Sequence, residues 1–92
     1  MGVALQSRSR MIQWRLRQVM AEINLSNQDL AELASIHRVT VSKLRNADEI
    51  KQISYEVLNG LCNGLTNAYH AKGINKVITP GDLLMFTLDE NL

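Results

Sequence analysis

The stretch of residues 27–46 constrains the fold of this chain more than any other part of its sequence. Its small and apolar residues fall where two short helices, joined by a tight turn and crossing steeply, would touch one another. These inward positions are filled by Leu30, Ala31, Ala34, Ile36, Val41 and Leu44. The pattern predicts one helix over residues 27–34, a break at 35–37 and a second helix that includes residues 39–44.

Capping signals mark three helix starts. Ser26 is placed as an N-cap, with Asp29 at the third helical position to reach back to it. A similar start recurs at Ser54, and Thr79 has the same cap with Pro80 as the first helical residue. These three helices, one helix before residue 26 and the helix over residues 39–44 make five helices in one domain.

The segment that follows residue 10 fits two structures. As a helix it has an apolar stripe formed by Ile12, Leu16, Val19, Met20 and Ile23. Trp14 points away from this stripe, and it suits an extended segment over residues 11–15, paired with residues 86–88. We therefore expect an all-α fold, with a short terminal β pair as the open alternative. Trp14 is then a strand residue packed at the termini or part of a subunit contact.

The predicted fourth helix contains two glycines, Gly60 and Gly64, which allow a neighbouring backbone to approach closely. Gly73 can adopt the left-handed conformation that ends a helix. We expect a neighbouring backbone to pack closely on this helix, and the helix to stop at that glycine.

Charge is divided unevenly along the chain, although the net charge is only +1. Residues 1–46 carry seven basic and three acidic side chains, whereas residues 47–92 carry three basic and six acidic ones. The first half should therefore attract polyanions and the second half should avoid them.

The residues described so far resemble the phage-repressor type of helix-turn-helix regulator, also called Cro-like or Xre-like. Residues 12–46 read IQWRLRQVMAEINLSNQDLAELASIHRVTVSKLRN, and VLNGLC at 57–62 and TPGDLL at 79–84 are similar to the family's fourth and fifth helices. The resemblance covers about residues 11–86. It implies a five-helix fold, double-stranded DNA as the ligand and a homodimer on a palindromic site, in bacteria or phage.

The chain departs from the family at two places. Ser35 stands where the family has glycine in the turn, and a left-handed serine costs about 1 kcal/mol unless the turn adjusts. Residues 66–76 are also longer than in compact relatives, either extending the fourth helix or forming an extra loop. That segment serves dimerisation or a partner, or it is a harmless elongation.

The resemblance assigns DNA contacts to matching positions. The implied base-reading residues are His37, Arg38, Val39, Ser42 and Lys43, where Arg and Lys suit guanine and Val suits the thymine methyl. The implied phosphate contacts are Asn27, Gln28, Thr40, Arg45 and Asn46. The basic residues near the start of the chain are expected to add to this surface, namely Arg8, Arg10, Arg15 and Arg17. If the residues of the predicted third helix do not contact DNA, they are only a solvated face. The basic residues near the start of the chain are then only a flexible arm.

No other chemistry is indicated. His37 and His70 lack further ligands at metal spacing, and Cys62 lies on an apolar stripe without an activating partner. We expect no catalytic residues, no metal and no cofactor, hence no enzyme. The sequence has no signal peptide or membrane-spanning run, so we expect a cytoplasmic, nucleoid-associated protein.

The sequence thus predicts a flexible arm at residues 1–10, a helix-turn-helix domain at 11–88 and an acidic tail at 89–92. The predicted function is a sequence-specific transcriptional regulator, a repressor acting as a homodimer on an operator. Two alternatives stay open. One is an antitoxin-like protein that binds a partner through residues 66–78 and regulates its own operon, and the other is a pure protein-interaction module.

Overall fold

A computed structural model of the chain describes residues 12–87, and these form five helices and one short sheet. The elements follow one another as β1 (Ile12–Trp14), α1 (Leu16–Glu22), α2 (Asn27–Ala34), α3 (Arg38–Asn46), α4 (Tyr55–Ala71), α5 (Pro80–Leu83) and β2 (Leu84–Phe86). The expected five-helix fold with a terminal β pair is confirmed. The predicted arm at residues 1–10 and the predicted tail at 89–92 lie outside the described residues.

The terminal strands form a two-stranded antiparallel sheet in which Ile12 lies opposite Phe86 and Trp14 opposite Leu84. The segment before α1 is therefore a strand and not the first turn of a helix. Its partner was expected at residues 86–88, but it begins at Leu84. The cause is the end of α5, because Leu83 is buried there and its carbonyl accepts a 2.7 Å hydrogen bond from the backbone N–H of Arg15. The chain is thus already beside β1 when α5 ends.

The helix starts agree with their capping signals. The hydroxyl of Ser26 accepts a 3.1 Å hydrogen bond from the backbone N–H of Asp29. At α4 the Ser54 hydroxyl accepts one of the same length from Val57. At α5 the Asp82 carboxylate accepts a 2.9 Å bond from the backbone N–H of Thr79. These bonds satisfy backbone donors or fix the chain at each helix start, so local sequence decides where the helices begin.

The core lies among the helices, with α2 packed chiefly against α4 and α3. Two glycines of α4 allow its close approach to the end of α2, as expected. A Cβ at Gly60 would lie 2.8 Å from the carbonyl oxygen of Ala34, and one at Gly64 would lie 2.9 Å from the backbone nitrogen of Ala34. Any larger residue at either position would push these helices apart.

The segment at residues 66–78 is partly helix and partly loop. Helix α4 ends at Ala71 with Lys72 as its C-cap, and Gly73 follows with a φ of 82°, the left-handed conformation expected there. The loop that follows is held at its far end by a 2.9 Å hydrogen bond from the backbone N–H of Ile78 to the hydroxyl of Thr66. Within residues 12–87 no helix is both long and apolar enough to cross a membrane.

Candidate nucleic-acid interface

The turn between α2 and α3 is built around Ser35, which has φ 57° and ψ 43°. This is the left-handed conformation expected at the position, and serine adopts it at a cost because its Cβ crowds the backbone. The next residue, Ile36, donates its backbone N–H to the carbonyl of Ala31 at 3.0 Å and is half-buried. The turn is thereby closed over the end of α2, which sets the direction in which α3 leaves.

Helix α3 packs on the domain through one face and leaves the opposite face open. Val41 is fully buried and Leu44 is half-buried against the core. The residues expected to read bases lie largely on the outer face: His37, Arg38, Val39 and Lys43 are exposed and Ser42 is half-buried. Val39 is 51% exposed, so this outer face carries one apolar side chain among polar ones.

His37 has a structural role that the sequence did not reveal. Its Nδ1 accepts a 3.1 Å hydrogen bond from the backbone N–H of Val39, so the imidazole is the N-cap of α3. Histidine is not among the usual capping residues, which is why the sequence carried no signal for it. Only Nε2 of this ring is left to meet another molecule.

The expected phosphate-contacting residues fall into two groups. Asn27 and Arg45 are half-buried and joined by a 2.9 Å hydrogen bond from the guanidinium to the Asn27 side-chain oxygen. Gln28 and Asn46 are exposed, and Thr40 is half-buried. The structure therefore brings together the N-terminus of α2 and the last turn of α3, which lie on opposite sides of the turn in sequence.

The basic residues around β1 and α1 have partners within the chain. Arg17 forms a 3.1 Å ion pair with Asp48, whose side chain is 88% exposed, so the pair contributes little to stability. Arg15 is half-buried, with its guanidinium 3.4 Å from the sulfur of Met85. Arg8 and Arg10 lie outside the described residues.

Trp14 is the second residue whose role needed the structure. It is only 3% exposed, and its indole N–H donates a 2.7 Å hydrogen bond to the carbonyl oxygen of Leu44 in α3. Trp14 is thus a strand residue packed within its own chain. Its place off the helical stripe was the one sequence signal, but nothing in the sequence pointed to a partner 30 residues away.

Next to the outer face of α3 is an open depression of about 380 Å³. It is lined by residues of α2 and the start of α3, namely Gln28, Ala31, Glu32, Ile36, His37 and Arg38.

No cluster of three or more potential metal ligands occurs in the described part of the chain. Burial, followed by the nearby charge of Asp82, raises the pKa of the Cys62 thiol, which disfavours the reactive thiolate.

Two helices joined by a tight turn, with the second presenting a polar outer face, define a helix-turn-helix domain. The chain belongs to the family of Cro/C1-type HTH DNA-binding domains, whose family model matches residues 15–66. The match runs from the residue before α1 into α4 and ends where the longer segment at 66–78 begins. No curated protein and no solved structure matches the chain.

Proposed function

We propose that this Cro/C1-type DNA-binding protein is a transcriptional repressor that binds a palindromic operator as a homodimer. The observation that carries the proposal is the outer face of α3. It combines exposed donors with an exposed apolar side chain, on a helix anchored from behind by the buried Val41. A helix of this kind fits the major groove, where each base pair presents its own set of donors, acceptors and methyl groups.

In this proposal the base-reading residues are His37, Arg38, Val39, Ser42 and Lys43. Arg38 and Lys43 would donate to the O6 and N7 acceptors of guanine, and Val39 would contact a thymine methyl. His37 would use Nε2, since Nδ1 is held by the backbone of Val39. Ser42 accepts or donates according to the base it meets.

The DNA backbone would be held by residues that flank this face. Arg45 and Asn27 carry the main role, because their hydrogen bond places the guanidinium beside the N-terminus of α2. The backbone N–H groups of that terminus favour an anion. The remaining proposed phosphate contacts are Gln28, Thr40, Asn46, Arg8, Arg10, Arg15 and Arg17. Phosphate contacts of this kind set the position of α3 but read no sequence.

The test is selection of a preferred duplex from a random pool, together with binding to the promoter of the protein's own gene. We expect an enriched palindrome whose half-sites lie about 10 base pairs apart, bound by two chains. Footprinting reports the half-site spacing. The mass of the complex, measured by sedimentation, reports the number of chains. One chain on a single half-site would contradict the homodimer, and equal binding to all duplexes would contradict operator recognition.

A second function is favoured by the loop within residues 66–78. Ile74 is 39% exposed and Val77 is 65% exposed there, so two apolar side chains face solvent on a segment beyond the family match. In this version the protein is antitoxin-like and binds a partner through the loop while repressing its own operon. Co-purification with the product of the adjacent gene, lost in an Ile74→Ser, Val77→Ser double variant, would support it over the simple repressor. DNA binding that is indifferent to that product would favour the simple repressor.

A further inference from the structure

The C-terminal end of α3 accepts a hydrogen bond from a side chain of β1, 30 residues earlier in the chain. The indole N–H of Trp14 donates to the carbonyl oxygen of Leu44 at 2.7 Å, and the ring is almost fully buried. The last carbonyls of a helix have no partner within the helix. That of Leu44 otherwise accepts only a 3.3 Å bond from the backbone of Ala47. The indole therefore supplies the shorter of the two bonds at this carbonyl.

Trp14 is itself fixed in place by β1. The strand pairs with β2, and the residue after Trp14 donates its backbone N–H to the carbonyl of Leu83 at 2.7 Å. The indole is a donor only, and a buried donor without an acceptor is costly. Strand and ring thus form a brace between the terminal sheet and the last turn of α3.

The contact of Trp14 lies at the end of α3 that is farther from the turn. The helix has nine residues, which corresponds to about 13 Å of length. Its N-terminal end is set by the turn at Ser35 and the cap at His37, so its direction depends on the contacts at its other end. There the indole of Trp14 binds the backbone, while the Arg45–Asn27 hydrogen bond joins only two side chains. Base contacts act over narrow distances, and a shift of about 1 Å at the helix end is enough to break one.

We propose that Trp14 is a positioning residue of the DNA site, whose indole N–H sets the angle at which α3 meets the major groove. It touches no DNA itself and acts through the Leu44 carbonyl on the side chains of Arg38 and Lys43. The inference rests on the proposed function for its DNA readout, but the angle of α3 is a property of the free protein. The positioning role of Trp14 and the proposed function can therefore fail independently of each other.

The decisive variant replaces Trp14 with benzothienylalanine, in which sulfur takes the place of the indole N–H and the ring shape is kept. We expect the dissociation constant for the selected operator to rise on the order of tenfold, the size of one lost base contact. Binding to a scrambled duplex should change by less than about twofold, because it depends on phosphate contacts, which carry no sequence information. An unchanged operator-to-scrambled ratio would overturn the inference.

The matched control is Tyr69→Phe. This substitution also removes a buried donor, because the Tyr69 hydroxyl lies 2.9 Å from the carbonyl oxygen of Val19 and 2.5 Å from the Glu22 carboxylate, both in α1. We expect it to lower stability while leaving the operator-to-scrambled ratio at the wild-type value. A loss of the ratio in this control would mean that general destabilisation, and not the brace, explains the effect.

NMR of the DNA-free protein separates this inference from the proposed function. In the wild-type chain the indole proton of Trp14 should exchange with solvent far more slowly than in free tryptophan. In the benzothienylalanine variant the amide shifts over residues 41–47 should move while those of α4 stay in place. Fast indole exchange, or unmoved α3 amides, would overturn the positioning role whatever the DNA result. A wild-type chain that prefers no duplex would overturn the proposed function alone.

Discussion

The guanidinium of Arg45 donates a 2.9 Å hydrogen bond to the side-chain oxygen of Asn27, which joins the last turn of α3 to the first residue of α2. Both residues are half-buried, so the arginine is partly ordered before any ligand arrives. An ordered side chain loses less conformational entropy on binding. The pair therefore suits a contact to the DNA backbone, where position matters more than chemical discrimination.

Asn27→Ala should weaken binding to operator and scrambled duplexes by similar factors, because it frees Arg45, a proposed phosphate contact, and removes none of the proposed base-reading residues. Arg45→Ala should do the same and reduce the salt slope of binding by about one. Fluorescence anisotropy over a salt series measures both effects. Asn67→Ala, on the exposed surface of α4, is the matched control and should change neither. A loss confined to the operator would contradict this role.

Arg38→Ala should cost about 1 to 3 kcal/mol on the preferred operator and much less on scrambled duplex, since it deletes a proposed base contact. Lys43→Ala should act in the same direction. Replacing Arg8 and Arg10 together should instead weaken both duplexes alike and flatten the salt slope. Titrations of each variant on both duplexes, with helicity checked by circular dichroism, separate the two roles. If Arg38→Ala and Lys43→Ala both keep the operator preference, α3 is not the reader.

Ser35→Gly should raise the free energy of unfolding by about 0.5 to 1 kcal/mol. The gain comes from removing a Cβ at φ 57°, offset in part by the greater freedom of glycine in the unfolded chain. Urea denaturation measures the change. Ser54→Gly is the control, because Ser54 has an extended backbone and caps α4, so glycine there should lower stability slightly. A destabilised Ser35→Gly protein would show that the turn is not strained.

Gly64→Ala should lower the free energy of unfolding by about 1 to 3 kcal/mol, because the new methyl group would lie 2.9 to 3.0 Å from backbone atoms of Ala34. Gly81→Ala is the matched control, since its methyl group would meet nothing closer than 3.5 Å. Thermal and urea unfolding of the two variants give the comparison. Equal free energies of unfolding for the two variants would mean that α2 and α4 can move apart at little energetic cost.

Stability should fall above about pH 10 because of Tyr69. Burial, then the hydrogen bond and charge of Glu22 and the charge of Asp82, raise the pKa of this phenol above its usual value of 10.0. The folded state therefore keeps a proton that the unfolded chain releases. The contribution of Tyr69 to the free energy of unfolding is complete below pH 10 and declines as the pH rises further. Urea unfolding between pH 8 and pH 11 should show the decline in wild type and in Tyr55→Phe, whose ring is 80% exposed. Tyr69→Phe should show a shallower decline, and an equally steep one would contradict the assignment.

Much of the fold was predictable because its signals are local. The caps at Ser26, Ser54 and Thr79 act on backbone groups within about one helical turn, and the glycine at position 73 acts on its own backbone. The pattern at residues 27–46 predicted both helices of the motif and their outer face for the same reason. Apolar spacing decides which side of a helix is buried before any partner is known.

The sequence by itself determined that five helices form, where most of them begin and which residues α3 leaves exposed. Only the tertiary structure decided which side chains meet. Trp14 reaches Leu44 across 30 positions, Arg17 reaches Asp48 across 31 and Tyr69 reaches Val19 across 50. Such contacts depend on how whole elements pack, and no periodicity within one element carries that information. The brace on α3 is therefore visible only in the folded chain, because packing alone brings the indole of β1 to the end of that helix.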